Sequence, residues 1–346
     1  MNSFSAVIIR WFRENGRDLP WRETRDPYAI WLSEIILQQT RIAQGWEYWE
    51  RFMQTYPKVE DLAAASEDDV LKLWQGLGYY SRARNLHTAA KQIVALGAFP
   101  NTLEGIKSLK GVGDYTAAAI GSFAFDIPAA VVDGNVYRVL SRYFGIDTPI
   151  NSTQGKKEFA ALAQSLLPAS DAASYNQGMM DFGAIQCTPQ SPKCLLCPLA
   201  ETCEALRCGR VEELPVKNKT VKVKTRHLSY IYIRCKSSAA DGAGNSEPMV
   251  AIHRRGEGDI WQGLWEPYNV SDVKELPSFV KNPILLAKDV KHVLTHRILL
   301  ADFYLLETES RPPLPDDYIW IKESEIEDYG VPRLIEIMLE KINPAE

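Results

Sequence analysis

Four cysteines within seventeen residues constrain this chain more than any other feature of its sequence. They are Cys187, Cys194, Cys197 and Cys203, spaced C-x6-C-x2-C-x5-C. Structural zinc sites usually take ligands from two separated pairs, whereas an iron–sulfur cluster needs one thiolate for each iron. The spacing therefore favours a [4Fe–4S] cluster held by one loop, with structural zinc and disulfide bonds as the alternatives. Cys208 and Cys235 are interpreted as ordinary thiols.

Length and composition indicate a globular chain with two domains, since 346 residues suffice for two separate cores. Arg10 and Arg13 interrupt the apolar run at the N-terminus, which argues against a signal peptide. No stretch is apolar and long enough for a membrane span, and unpaired cysteines with a metal centre indicate the cytosol. The net charge of −5 disfavours a uniformly basic surface, although DNA binding needs only a positive contact face.

Residues 1–206 have the pattern of successive helices and predict a mainly α domain. Asp26-Pro27 is a helix start, with a capping carboxylate before proline, and we expect that helix to continue to Thr40. Further helices are predicted at 67–75, 82–96, 114–124, 134–144 and 156–166.

The pattern changes after a basic stretch at 207–226, which is interpreted as a solvated linker. Residues 227–235, 249–254, 292–295 and 299–306 alternate like strands, and 331–342 reads as a closing helix. Residues 227–346 are therefore predicted to form an α+β domain.

Gly111 and Gly113 flank one apolar residue between two helical stretches, in a segment at about 102–124. Such a turn exposes backbone N–H groups at the start of the next helix, where they bind an anion such as a DNA phosphate. The segment has the pattern of a helix-hairpin-helix, although a glycine-containing turn between helices is also common in other proteins.

Two carboxylates are candidates for acid–base chemistry. Glu34 interrupts an apolar helical run and lies either at a helix rim or in a pocket that raises its pKa. Asp133 precedes a helix, and a helix N-cap is its simplest role. Hydrolysis of a glycosidic bond needs two carboxylates in different environments, one as the acid and one facing the oxocarbenium-like carbon.

Taken together, several segments resemble the adenine DNA glycosylase family within the helix-hairpin-helix glycosylase superfamily. They are Trp31–Thr40, Gly76–Tyr80, Leu109–Gly113, Val132–Val136 and the cysteine loop at 187–203. The resemblance covers nearly the whole chain and implies a [4Fe–4S] cluster. It also implies excision of adenine opposite 8-oxoguanine in duplex DNA, by a monomer of the bacterial cytosol, associated with the nucleoid and not with a membrane.

The resemblance implies that Glu34 protonates N7 of the flipped adenine, and that Asp133 stabilises or captures the oxocarbenium ion. Gln38 and Gln39 match intercalating and pocket-supporting glutamines, and Tyr79 matches a tyrosine that wedges beside the oxidised guanine. The other implied positions are Arg17, Trp21, Arg22 and Gln177 for the adenine pocket, and Leu37, Thr40, Gly111 and Gly113 for DNA binding.

Tyr115 occupies the position where glycosylase/lyases of the superfamily carry a Schiff-base lysine. A phenol cannot form an imine, so we expect a monofunctional glycosylase in which Tyr115 is a hydrogen-bond partner near Asp133.

The C-terminal domain resembles the Nudix-like domain that reads 8-oxoguanine in this family, with Thr295 and His296 at the recognition turn. Leu294 replaces the family's usual phenylalanine there. The metal-binding glutamate helix of Nudix hydrolases is missing from the sequence, so diphosphate hydrolysis is not expected.

Two other functions compete with this interpretation. An endonuclease of the thymine-glycol type is disfavoured by Tyr115 and by the additional domain. A non-catalytic iron–sulfur protein that binds DNA or transfers electrons leaves Glu34 and Asp133 unexplained.

Overall fold

The computed structural model describes residues 3–218, 223–236, 247–271 and 276–343. These residues form two compact units. The helical unit comprises the described residues up to 64 and from 85 to 218, and the sheet unit comprises residues 65–84 and the described residues from 223 to 343. The expectation of a helical N-terminal part and an α+β C-terminal part is confirmed.

The helical unit is built from helices joined by turns and by longer loops, among them the cysteine loop. In chain order the helices are α1 (Ser3–Asn15), α2 (Pro27–Ile36), α3 (Ile42–Thr55), α4 (Val59–Ala64), α5 (Glu67–Leu73), α6 (Ser81–Leu96), α7 (Leu103–Lys107), α8 (Asp114–Phe125), α9 (Gly134–Phe144), α10 (Thr153–Leu166), α11 (Ala172–Asp181) and α12 (Glu204–Arg207). Of these, α5 and the first turn of α6 belong to the sheet unit.

Helix α2 lies at the centre of the helical unit. Asp26 caps it by accepting a hydrogen bond from the backbone N–H of Tyr28, as predicted, and Pro27 occupies its first position. Every residue from Tyr28 to Ile36 is buried, and the helix packs against α8. A helix buried on all sides places its one carboxylate, Glu34, among apolar side chains.

The prediction that this helix continues to Thr40 is wrong. The helix ends at Ile36, and Gln39 adopts the left-handed backbone conformation with φ of 57°. That conformation is incompatible with a continuing right-handed helix. The residues that follow form a turn at the surface of the unit.

The sheet unit contains, within its described residues, a six-stranded mixed sheet in the order β4-β5-β1-β3-β2-β6. The strands are β1 (Lys224–Cys235), β2 (Met249–Arg254), β3 (Trp265–Ser271), β4 (Ile284–Val293), β5 (Arg297–Thr308) and β6 (Tyr318–Lys322), followed by α13 (Arg333–Ile342). Strands β1 and β5 run parallel from Lys224 beside Arg297 to Cys235 beside Thr308.

Both faces of β1 are buried. Tyr230 and Tyr232 pack on the side that α13 covers, and Ile231 and Ile233 pack on the opposite side. The alternation of two apolar sets along one strand is what a central strand requires.

The segment 65–84 packs with the sheet unit. Arg254 forms ion pairs with Glu67 and Asp68, and Gln75 is hydrogen-bonded to Glu336. The ion pair of Glu67 with Arg254 spans 187 positions, so the segment that carries the Gly76–Tyr80 turn packs with strands that are distant in sequence.

Candidate active site and iron–sulfur centre

Glu34 is buried with 7% of its surface exposed. Burial in the apolar interior raises the pKa of this carboxyl group to about 7, because the ionised form loses its hydration. The nearby Asp133 charge acts in the same direction on the Glu34 pKa, whereas a hydrogen bond from Tyr115 and the charge of Arg22 oppose it. The sequence allowed Glu34 to lie either at a helix rim or in a buried pocket, and the structure shows the buried position.

Tyr115 lies at the start of α8, where its hydroxyl donates a 2.8 Å hydrogen bond to Oε2 of Glu34. Burial first, and then the charges of Glu34 and Asp133, raise the pKa of Tyr115 well above its usual value. The phenol therefore stays protonated and acts as a donor to Glu34. Its hydrogen-bond partner is Glu34, with Asp133 in electrostatic range.

Asp133 caps helix α9, as the simplest interpretation of the sequence predicts. Its carboxylate accepts 2.8 Å hydrogen bonds from the backbone N–H of Val136 and from the side-chain amide of Asn135. Burial raises the pKa of Asp133, while these hydrogen bonds and the charge of Arg138 partly offset the increase. Glu34 and Asp133 are thus two carboxylates in different settings, and the charge of Asp133 contributes to the raised pKa of Glu34.

Arg17 and Arg22 converge on one buried carboxylate, Asp181, at the end of α11. Arg22 donates 2.8 Å hydrogen bonds to both carboxylate oxygens, and Arg17 donates through its backbone N–H and its guanidinium. Burial alone raises the pKa of Asp181, but the hydrogen bonds from Arg22 and Arg17 outweigh it and lower the pKa. Asp181 fixes the position of both arginines.

Two further candidates lie in the same unit. Trp21 is buried and packs edge-on against Trp46 and Trp49, with ring centroids 5.9 and 5.7 Å apart. Core packing therefore accounts for much of the Trp21 surface. Gln177 is half-buried on α11.

The turn after α2 carries the four candidate DNA contacts at positions 37–40. Gln39 is exposed, and Leu37, Gln38 and Thr40 are half-buried. The Gln38 amide donates a 3.3 Å hydrogen bond to the hydroxyl of Thr116 on α8. The turn is thereby held against the helix that carries Tyr115.

The predicted helix-hairpin-helix is formed by α7, a turn and α8. Gly111 has φ of 78°, and a β-carbon there would lie 2.7 Å from the side chain of Asn85. Gly113 is the N-cap of α8 and has open space where a β-carbon would lie. The exposed first N–H groups of α8 suit an anion.

All four clustered cysteines line one small cavity, together with Arg142 and Gln186. Cys187 follows a π-helical turn at 182–186, and Cys203 immediately precedes α12. Burial raises the pKa of Cys197 to about 11 and also raises the pKa values of Cys194 and Cys203. Such thiols ionise in this setting when a metal centre stabilises the thiolates.

Arg142 is buried and organises the loop around this cavity. It donates hydrogen bonds to the backbone carbonyls of Thr188, Pro189 and Leu214, and one 3.5 Å hydrogen bond to Sγ of Cys187. A cation that donates to a cysteine sulfur fits a cluster with anionic thiolate ligands. The residues present therefore suit an iron–sulfur cluster.

In the sheet unit, Tyr79 and Thr295 are hydrogen-bonded to each other through their hydroxyl groups. They line a cavity of about 650 Å³ that His296, Trp261 and Asp259 also line. Tyr79 is 44% exposed and has a left-handed backbone, with φ of 47°, which presents its ring at the surface. Two candidates from distant parts of the chain thus meet at one site.

Asp181, Asn135 and Arg142 are residues of these sites that sequence reasoning missed. Asp181 contacts Arg17 from 164 positions away, so no local pattern indicates it. Asn135 lies in the Val132–Val136 segment. Only the folded start of α9 brings its side-chain amide between Asp133, to which it donates, and Arg138, from which it accepts.

Comparisons with known protein families match three parts of the chain. Residues 32–168 match the HhH-GPD superfamily of base excision DNA repair proteins, and residues 244–341 match the NUDIX domain. Residues 187–203 match the iron–sulfur binding domain of endonuclease III, so this loop binds the predicted [4Fe–4S] cluster. Among the described residues, no helix has both the length and the apolar character needed to cross a membrane.

Individual proteins are similar over larger parts of the chain. An adenine DNA glycosylase of Buchnera aphidicola subsp. Schizaphis graminum is 30% identical over 97% of this chain and 98% of its own length. The adenine DNA glycosylase of Mus musculus is 42% identical over 62% of this chain and 44% of its own length. A thermostable thymine-DNA glycosylase structure superimposes with a TM-score of 0.56 and 34% identity, over 59% of this chain and 95% of that one. On its motifs, fold and relatives, the chain belongs to the adenine DNA glycosylase family.

Proposed function

We propose that this protein removes adenine paired with 8-oxoguanine, or with guanine, from duplex DNA and leaves an abasic site for base excision repair. The observation that carries this proposal is the buried Glu34 carboxyl group, whose pKa of about 7 is set by burial and by the nearby Asp133. Relatives named adenine DNA glycosylase support adenine as the base.

Glu34 is the general acid of this proposal. A carboxyl group that is still substantially protonated near neutral pH can transfer its proton to N7 of adenine, so that the base leaves as a neutral molecule. The target bond is inaccessible within the base stack, so the adenine must first be flipped out of the duplex. Tyr115 holds the carboxyl group in place through its hydrogen bond to Oε2.

Asp133 provides the negative charge for the sugar. Two hydrogen bonds at the start of α9 fix its carboxylate and favour its ionised form, although burial raises its pKa. An ionised carboxylate stabilises the oxocarbenium ion that forms as the base departs, or captures it until water completes hydrolysis.

Arg17, Trp21, Arg22 and Gln177 are proposed to line the adenine pocket. The shared ion pairs with Asp181 support this role for the two arginines, because they hold both guanidinium groups in fixed positions. The charge of Arg22 reaches Glu34, which supports a location near the acid.

Duplex binding is assigned to the α7–α8 turn with Gly111 and Gly113, and to the turn at 37–40. Backbone N–H groups at a helix start bind phosphates without reading sequence. Gln38 and the exposed Gln39 follow the helix that carries Glu34 and are proposed as the intercalating and pocket-supporting glutamines.

The lesion is proposed to be read in the sheet-unit cavity. Tyr79 supplies a partly exposed aromatic face, and Thr295 and His296 supply polar groups in the same cavity. A hydroxyl and an imidazole can discriminate the altered hydrogen-bonding edge of 8-oxoguanine from that of guanine.

The [4Fe–4S] cluster is assigned a structural role. When bound by Cys187, Cys194, Cys197 and Cys203, it has four protein ligands and leaves no iron open to substrate. The monomeric state and the cytosolic, nucleoid-associated location remain predictions, as do the domain boundaries.

Product analysis tests the reaction directly. A duplex with one adenine opposite 8-oxoguanine should give strand breaks only after alkali treatment, because hydrolysis without a Schiff base leaves the strand intact. A parallel duplex with thymine glycol should give none. Efficient strand cleavage without alkali, together with borohydride trapping of an enzyme–DNA adduct, would instead support an endonuclease of the thymine-glycol type.

A further inference from the structure

Asp259 lines the sheet-unit cavity together with Trp261 and His296. Its Oδ1 accepts hydrogen bonds from the backbone N–H of Ile260 at 2.7 Å and from Nη1 of Arg297 at 3.1 Å. Its Oδ2 accepts from Arg226 at 2.6 Å and from Arg255 at 2.8 Å. One carboxylate therefore joins the 259–262 loop to three arginines on separate elements.

One of these arginines is rigidly anchored in the sheet. Arg255 is buried, and its Nη1 donates to both oxygens of Glu266, of which only 1% is exposed. Its Nε donates to the carbonyl of Ile260 at 2.9 Å. Disturbing this buried, hydrogen-bonded Arg255–Glu266 ion pair would be energetically costly. Because Arg255 also donates to Asp259, the ion pair fixes the position of Asp259.

Another arginine belongs to the recognition turn. Arg297 directly follows Thr295 and His296, and its carbonyl accepts the 2.8 Å hydrogen bond from Leu294 that closes the turn. Through Arg297, Asp259 therefore links the turn to the 259–262 loop, which includes Trp261 and also lines the cavity. The Thr295 hydroxyl can read a base only if this turn is held in one place.

We propose that Asp259 is a positioning residue for lesion preference, which acts by tethering the Thr295–His296 turn through Arg297. This inference rests on the proposed role of the turn in reading 8-oxoguanine. Asp259 itself is two-thirds buried and accepts hydrogen bonds from three arginines, so it acts through the turn and is not assigned a contact with the base.

Removal of the Asp259 negative charge should affect lesion preference and duplex binding differently. Asp259→Asn leaves three arginines without their shared carboxylate, so attraction to DNA phosphates is retained or increased. Loss of the tether, in contrast, removes the ion pair that orients the turn relative to the 259–262 loop. Preference for 8-oxoguanine should therefore fall while binding to undamaged duplex does not, a combination that general loss of folding does not produce.

The experiment measures single-turnover adenine release opposite 8-oxoguanine and opposite guanine, and uses the ratio of the two rates. Asp259→Asn and Arg297→Gln should each lower this ratio about tenfold, as expected for loss of a charge-assisted hydrogen bond. Asp259→Glu should retain most of the preference. The exposed Asp317, which pairs with His253 outside the cavity, provides the control Asp317→Asn with an unchanged ratio.

Thr295→Ala separates this inference from the proposed function. We expect it to lower the ratio alone and to add nothing in the Asp259→Asn background, because both changes disable the same turn. If Thr295→Ala lowers the ratio while Asp259→Asn and Arg297→Gln do not, the tether is refuted and the lesion-reading turn stands. If Thr295→Ala leaves the ratio unchanged, the lesion-reading assignment fails, and the tether fails with it. Arg297→Gln decides the outcome should Asp259→Asn fail to fold.

Discussion

The hydroxyl of Tyr115 donates a 2.8 Å hydrogen bond to Oε2 of Glu34, so a phenol stands beside the buried acid. This hydrogen bond favours the ionised carboxylate and lowers the Glu34 pKa, against the larger effect of burial, which raises it. The balance leaves the pKa at about 7, where the acid can both hold and release a proton.

The pH dependence of catalysis should report this balance. With Glu34 as a general acid, the single-turnover rate should fall as pH rises through about 7, because the protonated form is lost. Tyr115→Phe removes the hydrogen bond that lowers the pKa, so the fall in rate should move to higher pH. Tyr28→Phe is the control, since the Tyr28 hydroxyl bonds to the carbonyl of Tyr56. An unchanged midpoint in Tyr115→Phe would show that this hydrogen bond does not set the pKa.

The two hairpin glycines should differ in their effect on stability. Gly111→Ala forces a β-carbon into a left-handed backbone and against Asn85, so it should lower both the melting temperature and duplex affinity. Gly113→Ala meets open space within the protein and should leave the melting temperature unchanged. Its methyl group would lie where a phosphate approaches, so duplex affinity should still fall, equally for all sequences. Unaltered affinity in Gly113→Ala would remove this turn from the DNA interface.

The cysteine loop should lose its cluster when one ligand is removed. Cys197→Ser should abolish iron binding and visible absorbance and destabilise the loop, because each iron needs its own thiolate. Cys208→Ser is the matched control, since Cys208 is exposed and lies outside the cavity lined by the other four. Iron content equal to that of the wild type in Cys197→Ser would contradict the ligand assignment.

The Asp181 ion pairs should make a large contribution to the free energy of unfolding. Asp181→Asn leaves two arginines with a neutral partner and should cost about 3–5 kcal/mol near neutral pH. Because the folded pKa of Asp181 is lowered, its stabilisation is present above the unfolded pKa and is lost as pH falls through the folded pKa. The difference between wild type and variant should therefore shrink in acid.

Chemical denaturation at neutral and acid pH measures this difference. Asp171→Asn is the control, because the Asp171–Arg13 pair is exposed and should contribute less than about 1 kcal/mol. Equal effects of the two substitutions would mean that the buried pair is not a stabilising anchor.

Local patterns were sufficient to predict many elements of this fold. Helix α9 lies at 134–144, as expected, because the Asp133 cap and the apolar repeat are both local signals. Strand β2 likewise has its predicted bounds. The predicted end of α2 is four residues beyond the observed end at Ile36, since nothing in Gln38-Gln39-Thr40 indicates that Gln39 adopts a left-handed backbone conformation.

Relationships between distant residues could not be predicted in this way. Strands β3 and β6 were missed, because β3 contains Pro267 and β6 is short, and both depend on pairing with other strands. The strand predicted at 292–295 is wrong, because β4 spans Ile284–Val293 and 294–295 lie in the turn that follows. Asp181 meets Arg17 and Arg22 only after α11 packs in the helical unit. The hydrogen bond of Tyr79 to Thr295 spans 216 positions, and only the folded sheet unit brings them together.

The role of Glu34 as the general acid is tested by the rate of adenine release by Glu34→Gln, measured in single turnover on duplex DNA with adenine opposite 8-oxoguanine. The amide keeps the size of the side chain but cannot deliver a proton, so the rate should fall by roughly 10²–10⁴-fold while duplex affinity is retained. Adenine release at the wild-type rate would place the acid elsewhere and contradict the account.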